Sequence, residues 1–267
     1  MRNENSRPFG TEQSLHWTDD PWTEKFERIP NTYYGDRIRD HLKEVKEMKL
    51  LDFGCGSGLI TTGLAAFLKP ARIDAVDIEE YVDHAENKAA CAARGYDYDK
   101  ALKLINYCVR RPLESLEPEF YDAIVSWSVI EHIPADIIDT ELRILYGALK
   151  DNGVAILQSS PLYYSPFGSH VYKLEPWFHL SLSEDISKRQ IFSLAADHDA
   201  AVSLIGCMKS LNRLTHHDFR SAVIRAGFKI KDEYTTTTSL TPPARLSWIY
   251  NKDVLLTEQV VFTLTKK

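Results

Sequence analysis

Three glycines spaced two apart, where an apolar run meets a helix, constrain this chain more than any other feature. They lie in Lys49-Leu50-Leu51-Asp52-Phe53-Gly54-Cys55-Gly56-Ser57-Gly58. With no Cβ in the way, a small molecule can rest directly on backbone N–H groups at the start of the helix. The same glycines would also suit an ordinary turn chosen for packing.

The spacing separates this turn from two common nucleotide sites. A dinucleotide fingerprint reads G-x-G-x-x-G, and Leu59 stands where its third glycine would fall. A P-loop ends in Lys followed by Ser or Thr, and neither follows here. NAD and ATP are disfavoured, and S-adenosylmethionine is the expected ligand.

The chain has 267 residues, 44% hydrophobic and 26% charged, which suits one large globular domain or a domain with an insertion. No stretch approaches the roughly 18 consecutive apolar residues of a membrane span. The first thirty residues are polar, with Asp19, Asp20 and Glu24, and lack the apolar segment of a signal peptide, so a cytoplasmic protein is expected. Cys55, Cys91, Cys108 and Cys207 show no paired C-x-x-C spacing, so they read as reduced thiols, neither a zinc site nor a disulfide framework. A net charge of −6 argues against nucleic acid as a partner, and Arg110-Arg111 reads as a solvated edge.

Periodicity divides the chain into alternating elements. Ile38, Leu42 and Val45 predict a helix over 34–48, followed by a strand at 49–53 and a helix from Ser57 to Leu68 that Pro70 stops. A second strand at 72–77, a helix over 80–94, a third strand at 102–109 and a fourth at 121–126 follow. Ile138, Leu142, Leu145 and Leu149 predict a helix closed by Asn152-Gly153, then a fifth strand at 154–158. Thr215 and Asp218 cap a later helix that Gly227 ends, and strands are expected at 228–234 and 258–265.

This pattern gives an α/β fold, a doubly wound and mostly parallel sheet. Residues 1–32, with Trp17, Trp22 and Phe26, form an arm; 33–158 form the core; 215–267 complete it. Residues 159–214 are an insertion after the fifth strand. In such a sheet the ligand crevice lies beyond the C-terminal strand ends, so the insertion can act as a lid. Its Tyr163, Tyr164, Phe167, Tyr172, Trp177 and Phe178 either offer faces to an acceptor ring or pack the insertion onto the sheet.

Asp77 ends the second strand, where a carboxylate can accept both hydroxyls of a ribose, with Glu79 as a stand-in; the alternative, less favoured, is a helix cap. Asp52 sits among Leu50, Leu51 and Phe53 and needs partners, either backbone N–H groups of the glycine turn or a ligand ammonium. After the fourth strand, Ser126-Trp127-Ser128-Val129-Ile130-Glu131-His132 leaves the sheet beside the turn.

Taken together, the chain resembles the class I S-adenosylmethionine-dependent methyltransferases over about residues 33–158, and again over 215–267. The motifs that carry the resemblance are Asp52 to Gly58, Asp77, Tyr121-Asp122-Ala123-Ile124-Val125 and Val129-Ile130-Glu131-His132. It implies a Rossmann-like methyltransferase fold, seven strands with the last antiparallel. It also implies a cofactor site drawn from Tyr33, Asp52, Gly54, Cys55, Gly56, Gly58, Asp77, Ile78, Pro112, Leu113, Ser126 and Trp127. Many members carry an Asp after the third strand near the adenine. Val109 to Glu114 has none at that place, leaving backbone carbonyls or Glu114 for the adenine amine.

Methyl transfer needs an aligned nucleophile and, for a hydroxyl, a place for its proton. His132 is the first candidate base, with Glu131 beside it, although the pair could simply start the next helix. His170 and His179 in the insertion are alternatives. Glu131-His132 also resembles the ubiquinone-biosynthesis O-methyltransferases, which hold a divalent metal there with an acid three residues earlier; Ser128 occupies that position, so no metal is expected. The insertion loosely resembles those of bacterial methyltransferases of sugar and natural-product pathways. The expected activity is O-methylation of a small-molecule acceptor. Alternatives are a protein or RNA methyltransferase, or a cofactor-binding subunit without chemistry of its own.

Overall fold

The computed structural model describes residues 26, 27, 29, 33–43 and 45–266; the expected arm with Trp17 and Trp22 lies outside them. Phe26 is buried, its ring against Phe67 and Tyr96.

The first half alternates as its periodicity requires: α1 (Tyr33–His41), β1 (Lys49–Phe53), α2 (Leu59–Leu68), β2 (Arg72–Asp77), α3 (His84–Ala93), α4 (Tyr98–Leu102), β3 (Ile105–Val109) and β4 (Tyr121–Trp127). The second half follows with α5 (Ile138–Ala148), β5 (Leu149–Ser159), α6 (Phe178–Ser181), α7 (Glu184–Leu194), α8 (His198–Ser210) and α9 (His216–Arg225). The chain closes with β6 (Lys229–Thr237), α10 (Ala244–Ser247), α11 (Lys252–Leu256) and β7 (Thr257–Thr265).

The strands form one seven-stranded sheet in the order β3-β2-β1-β4-β5-β7-β6. Pairing is parallel from β3 to β5, and β7 runs antiparallel to both β5 and β6, as the resemblance implies. Every residue of β4 is buried, because helices cover both faces. Leu51, Ile124, Leu157 and Phe262 face one core with α5 and α9. Leu50, Ala123, Val125 and Ile156 face the other, with α1 and α2. Chain order reverses between β1 and β4, so their C-terminal ends form the switch point where ligands bind in open α/β sheets.

Several element bounds differ from the sequence reading. Helix α1 ends at His41, leaving Val45 exposed. Asp83 caps α3, accepting from the Glu86 N–H, so that helix starts later than Glu80. Asp97 caps the short α4, which ends at Leu102, so β3 opens at Ile105, later than expected. Asn152-Gly153 does not close α5; both residues lie inside β5, whose register against β4 breaks between Tyr121↔Leu149 and Ala123↔Val154. A Cβ on Gly153 would sit 2.6 Å from Leu149 Cδ1 and 3.0 Å from the Asp122 carbonyl oxygen, so glycine serves packing at this irregularity. Thr215 and Asp218 do form a reciprocal capping box at α9, and Gly227 follows that helix at φ +107°.

Between β5 and α9, α7 and α8 pack around Val171, Phe178, Ile191 and Ala201. Trp177 is only 2% exposed, packed against Leu246 and Leu255. Its indole N–H lies near the carbonyls of Tyr164 (3.1 Å) and Leu255 (3.3 Å). Trp177 and Phe178 are therefore packing residues, not faces open to an acceptor. Among the described residues no helix is long and apolar enough to cross a membrane.

Candidate cofactor and acceptor site

The glycine turn is built from three left-handed residues: Gly54, Gly56 and Gly58 have φ of +83°, +51° and +83°. The Gly54 and Cys55 N–H groups donate to the Val76 carbonyl at 2.8 and 3.0 Å, continuing the β1–β2 pairing into the turn. Asp77 closes it, one oxygen accepting from the Gly56 N–H at 2.8 Å and the other from the Ile78 N–H at 2.7 Å. A Cβ on Gly54 would lie 2.2 Å from Val129, and one on Gly58 would lie 2.7 Å from the Tyr107 hydroxyl. At Gly56 nothing among the described residues stands within 4 Å, so among them the middle of the turn is open. A cavity of about 200 Å³, lined in part by Cys55, Asp77, Glu79, Tyr107 and Val109, opens beside it.

Asp52 does not hold the turn through backbone N–H groups. It is buried and accepts from the Thr61 hydroxyl of α2 at 2.5 Å, and burial, with the nearby Asp77 charge, pushes its carboxyl up to about 6. Burial and the same two carboxylates raise the Cys55 thiol, which stays protonated at neutral pH.

Beyond β2 and β3, two apolar side chains stand out to solvent: Ile78 at 59% and Leu113 at 44%, the latter at φ +63°. Pro112 beside Leu113 is exposed too. Arg110 is not a solvated edge: it is buried, 3.1 Å from Glu141 of α5, and it donates to the Glu114 carbonyl. Glu141 also accepts from the Leu113 N–H, so one buried ion pair fixes the whole loop after β3. The Glu114 carboxylate accepts from the Arg111 N–H at 3.0 Å. Tyr33 donates to Asp232 of β6 at 2.6 Å, while its neighbour Tyr34 packs edge-on to Trp127, ring centroids 5.4 Å apart. Ser126 Oγ and Trp127 Nε1 are buried without a partner among the described residues.

The tract after β4 presses against the turn through Val129 and Gly54. Ser128 donates both its N–H (2.6 Å) and its hydroxyl (3.2 Å) to the Gln158 side chain. Glu131, 4% exposed, accepts from the Ser159 hydroxyl at 3.0 Å and the Ser160 N–H at 3.4 Å, and burial pushes its carboxyl up to about 8. Ser128 is thus engaged by Gln158, and Glu131 is turned onto two serines.

Burial holds His132 below its ordinary range. Its ring meets that of His170 edge to face, centroids 5.0 Å apart. Burial, with His132 alongside, lowers His170 to about 4. His179 is instead bonded to the Tyr163 carbonyl at 2.6 Å and packed on Tyr163 and Phe178; burial lowers it to about 4 as well. Two residues join this group that sequence reasoning missed. Asn212 donates to the carbonyls of Ile130 (2.6 Å) and Ile133 (2.9 Å), tying the segment just before α9 to the tract. Cys207 of α8 has its sulfur within 4.8 Å of ring nitrogens of His132 and His170. No local spacing marks either one, because the fold brings them there from some eighty residues away.

Comparison with known proteins fits this architecture. A ubiquinone biosynthesis O-methyltransferase of Rickettsia felis is 29% identical over 129 residues, covering 48% of this chain and 47% of that protein. Its counterpart in Rickettsia prowazekii is 31% identical over 128 residues, covering 48% and 46%. The chain thus spans about half the length of the curated relatives it matches. An S-adenosylmethionine-dependent methyltransferase from Clostridium acetobutylicum superposes with a TM-score of 0.51 at 12% identity, over 91% of each chain. The [4+2]-cyclase SpnF superposes at 0.50 with 14% identity, over 86% of this chain and 78% of that one. Likeness at such identities speaks for the fold, which hosts more than one reaction. A family model described as a methyltransferase domain matches residues 26–231. That match takes in well over half of the chain, which belongs to the methyltransferase domain family.

Proposed function

We propose that this chain binds S-adenosylmethionine at the glycine turn and transfers its methyl group to an oxygen of a small-molecule acceptor, in the cytoplasm. The observation that carries the reading is the open face of Gly56, its N–H held by Asp77. Each Asp77 oxygen accepts one backbone bond and keeps lone-pair capacity for a ribose hydroxyl. Ile78 and Leu113 offer apolar surface to an adenine ring, and Ser126 and Trp127 offer unpartnered polar atoms near the same strand ends. Four free cysteines suit a reducing compartment.

The sulfonium is already an activated leaving group. As the acceptor oxygen attacks the methyl carbon in line, the carbon–sulfur bond breaks and its electrons return to sulfur, leaving S-adenosylhomocysteine. The protein's share is alignment, worth several orders of magnitude in rate, and the departure of the hydroxyl proton. His132 is the group assigned to that proton, since burial favours its neutral form. Residues 159–214 act as the lid over this end of the sheet.

The experiment is incubation with methyl-labelled S-adenosylmethionine and a panel of small phenols, sugars and amines. Label recovered in an ether of a hydroxyl acceptor supports the reading. Label only in amines, protein or RNA overturns the oxygen assignment, as would cofactor binding without turnover on any acceptor.

A further inference from the structure

We propose that His132, His170 and Cys207 bind one zinc ion, which fastens the insertion to the end of β4. One donor comes from the core and two from the insertion, near its start and in its last helix. One atom from each lies within 4.8 Å of the others, and all three residues are half-buried. A tetrahedral zinc ion spaces nitrogen and sulfur donors roughly 3.3–3.8 Å apart, so closure by about an ångström completes the set.

His170 is prepared as a ligand. Among the described residues its Nε2 is buried without a partner, while the ring also bonds to Pro161, a residue whose backbone can only accept. Nδ1 must therefore carry the proton and Nε2 the bare lone pair, the arrangement by which a carbonyl orients a metal-bound imidazole. The backbone there is at φ +63°, a left-handed conformation uncommon for residues other than glycine. The donor chemistry, two imidazoles and one thiol, selects a soft divalent ion over magnesium or calcium.

Three protein donors leave a tetrahedral ion one open position, the count of catalytic zinc centres. Resting on the proposed function, that position would take the acceptor hydroxyl. The ion would make its O–H more acidic, the proton would pass to solvent, and the oxygen would then attack the methyl carbon. With zinc bound, His132 would be a ligand, and the ion would replace it as the group that helps the acceptor lose its proton.

The test starts from the full chain stripped with a chelator. Zinc should bind at one equivalent, and cobalt should give a thiolate charge-transfer band that Cys207→Ser abolishes and Cys108→Ser keeps. His170→Ala should weaken zinc binding at least tenfold. Zinc should also protect Cys207 of the wild type from alkylation, a readout that needs no variant to fold. Absence of stoichiometric binding, a band that survives Cys207→Ser, or alkylation unaffected by zinc overturns the proposal. S-adenosylhomocysteine binding, measured on the same metal-free and zinc-loaded samples, reports separately on the methyltransferase reading.

Discussion

Asp77 Oδ2 accepts the Gly56 N–H at 2.8 Å, so the acid that ends β2 holds the middle of the turn that follows β1. The carboxylate expected to meet a ribose is therefore also a structural clamp. Asp77→Asn should keep the fold and weaken S-adenosylhomocysteine binding by about tenfold or more, as charge-assisted bonds to the loop and to the ribose weaken together. Isothermal calorimetry measures it, and unchanged affinity would remove Asp77 from the site.

Neighbouring glycines should respond differently to substitution. Gly54→Ala places a methyl group 2.2 Å from Val129 at φ +83°, so a loss of roughly 1–3 kcal/mol is expected in urea denaturation. Adding Val129→Ala should recover part of the steric share. Gly56→Ala meets no neighbour and should show only a strain near 1 kcal/mol.

The buried Arg110–Glu141 pair fixes the loop bearing Pro112 and Leu113. Removing one partner, as in Arg110→Met, strands a buried charge and should cost about 3–5 kcal/mol. Arg110→Met with Glu141→Leu should recover much of that in thermal denaturation. Cofactor affinity should not return with it, because the Leu113 N–H has lost its acceptor.

Asp52 makes stability depend on pH. Its folded-state carboxyl lies near 6, above the ordinary value of 3.8, so between those values the folded state binds more protons than the unfolded one. Its contribution is present below pH 4 and is lost as pH rises through about 6. Asp52→Asn should therefore gain on the wild type by on the order of 2 kcal/mol between pH 4 and pH 7, read from denaturant midpoints. His179 acts oppositely: burial lowers it to about 4, so its neutral form favours folding above pH 6.5 and that share is lost as pH falls through 4.

Features set by near neighbours in sequence were legible, and those set by distant ones were not. The bounds of β1 and β2 follow from short apolar runs closed by Gly54 and Asp77, and the Thr215–Asp218 box is complete within four residues. Asn152-Gly153 misled because a glycine after a helical run suits a cap as well as a close approach within a strand; the contact with Leu149 decides it. Arg110 looked solvated because its partner is thirty-one residues away on α5. Cys207 looked like a lone thiol because its neighbours His132 and His170 meet it only once the segment between β5 and α9 folds back towards the end of β4.

Whether a cofactor sits on the glycine turn is read by titrating S-adenosylhomocysteine into the wild type and into Gly56→Arg by calorimetry. Saturable one-to-one binding is expected of the wild type, and its abolition in a Gly56→Arg protein that keeps its circular dichroism and loses only a few degrees of melting temperature. Absence of binding by the folded wild type, or equal binding by the arginine variant, would contradict it.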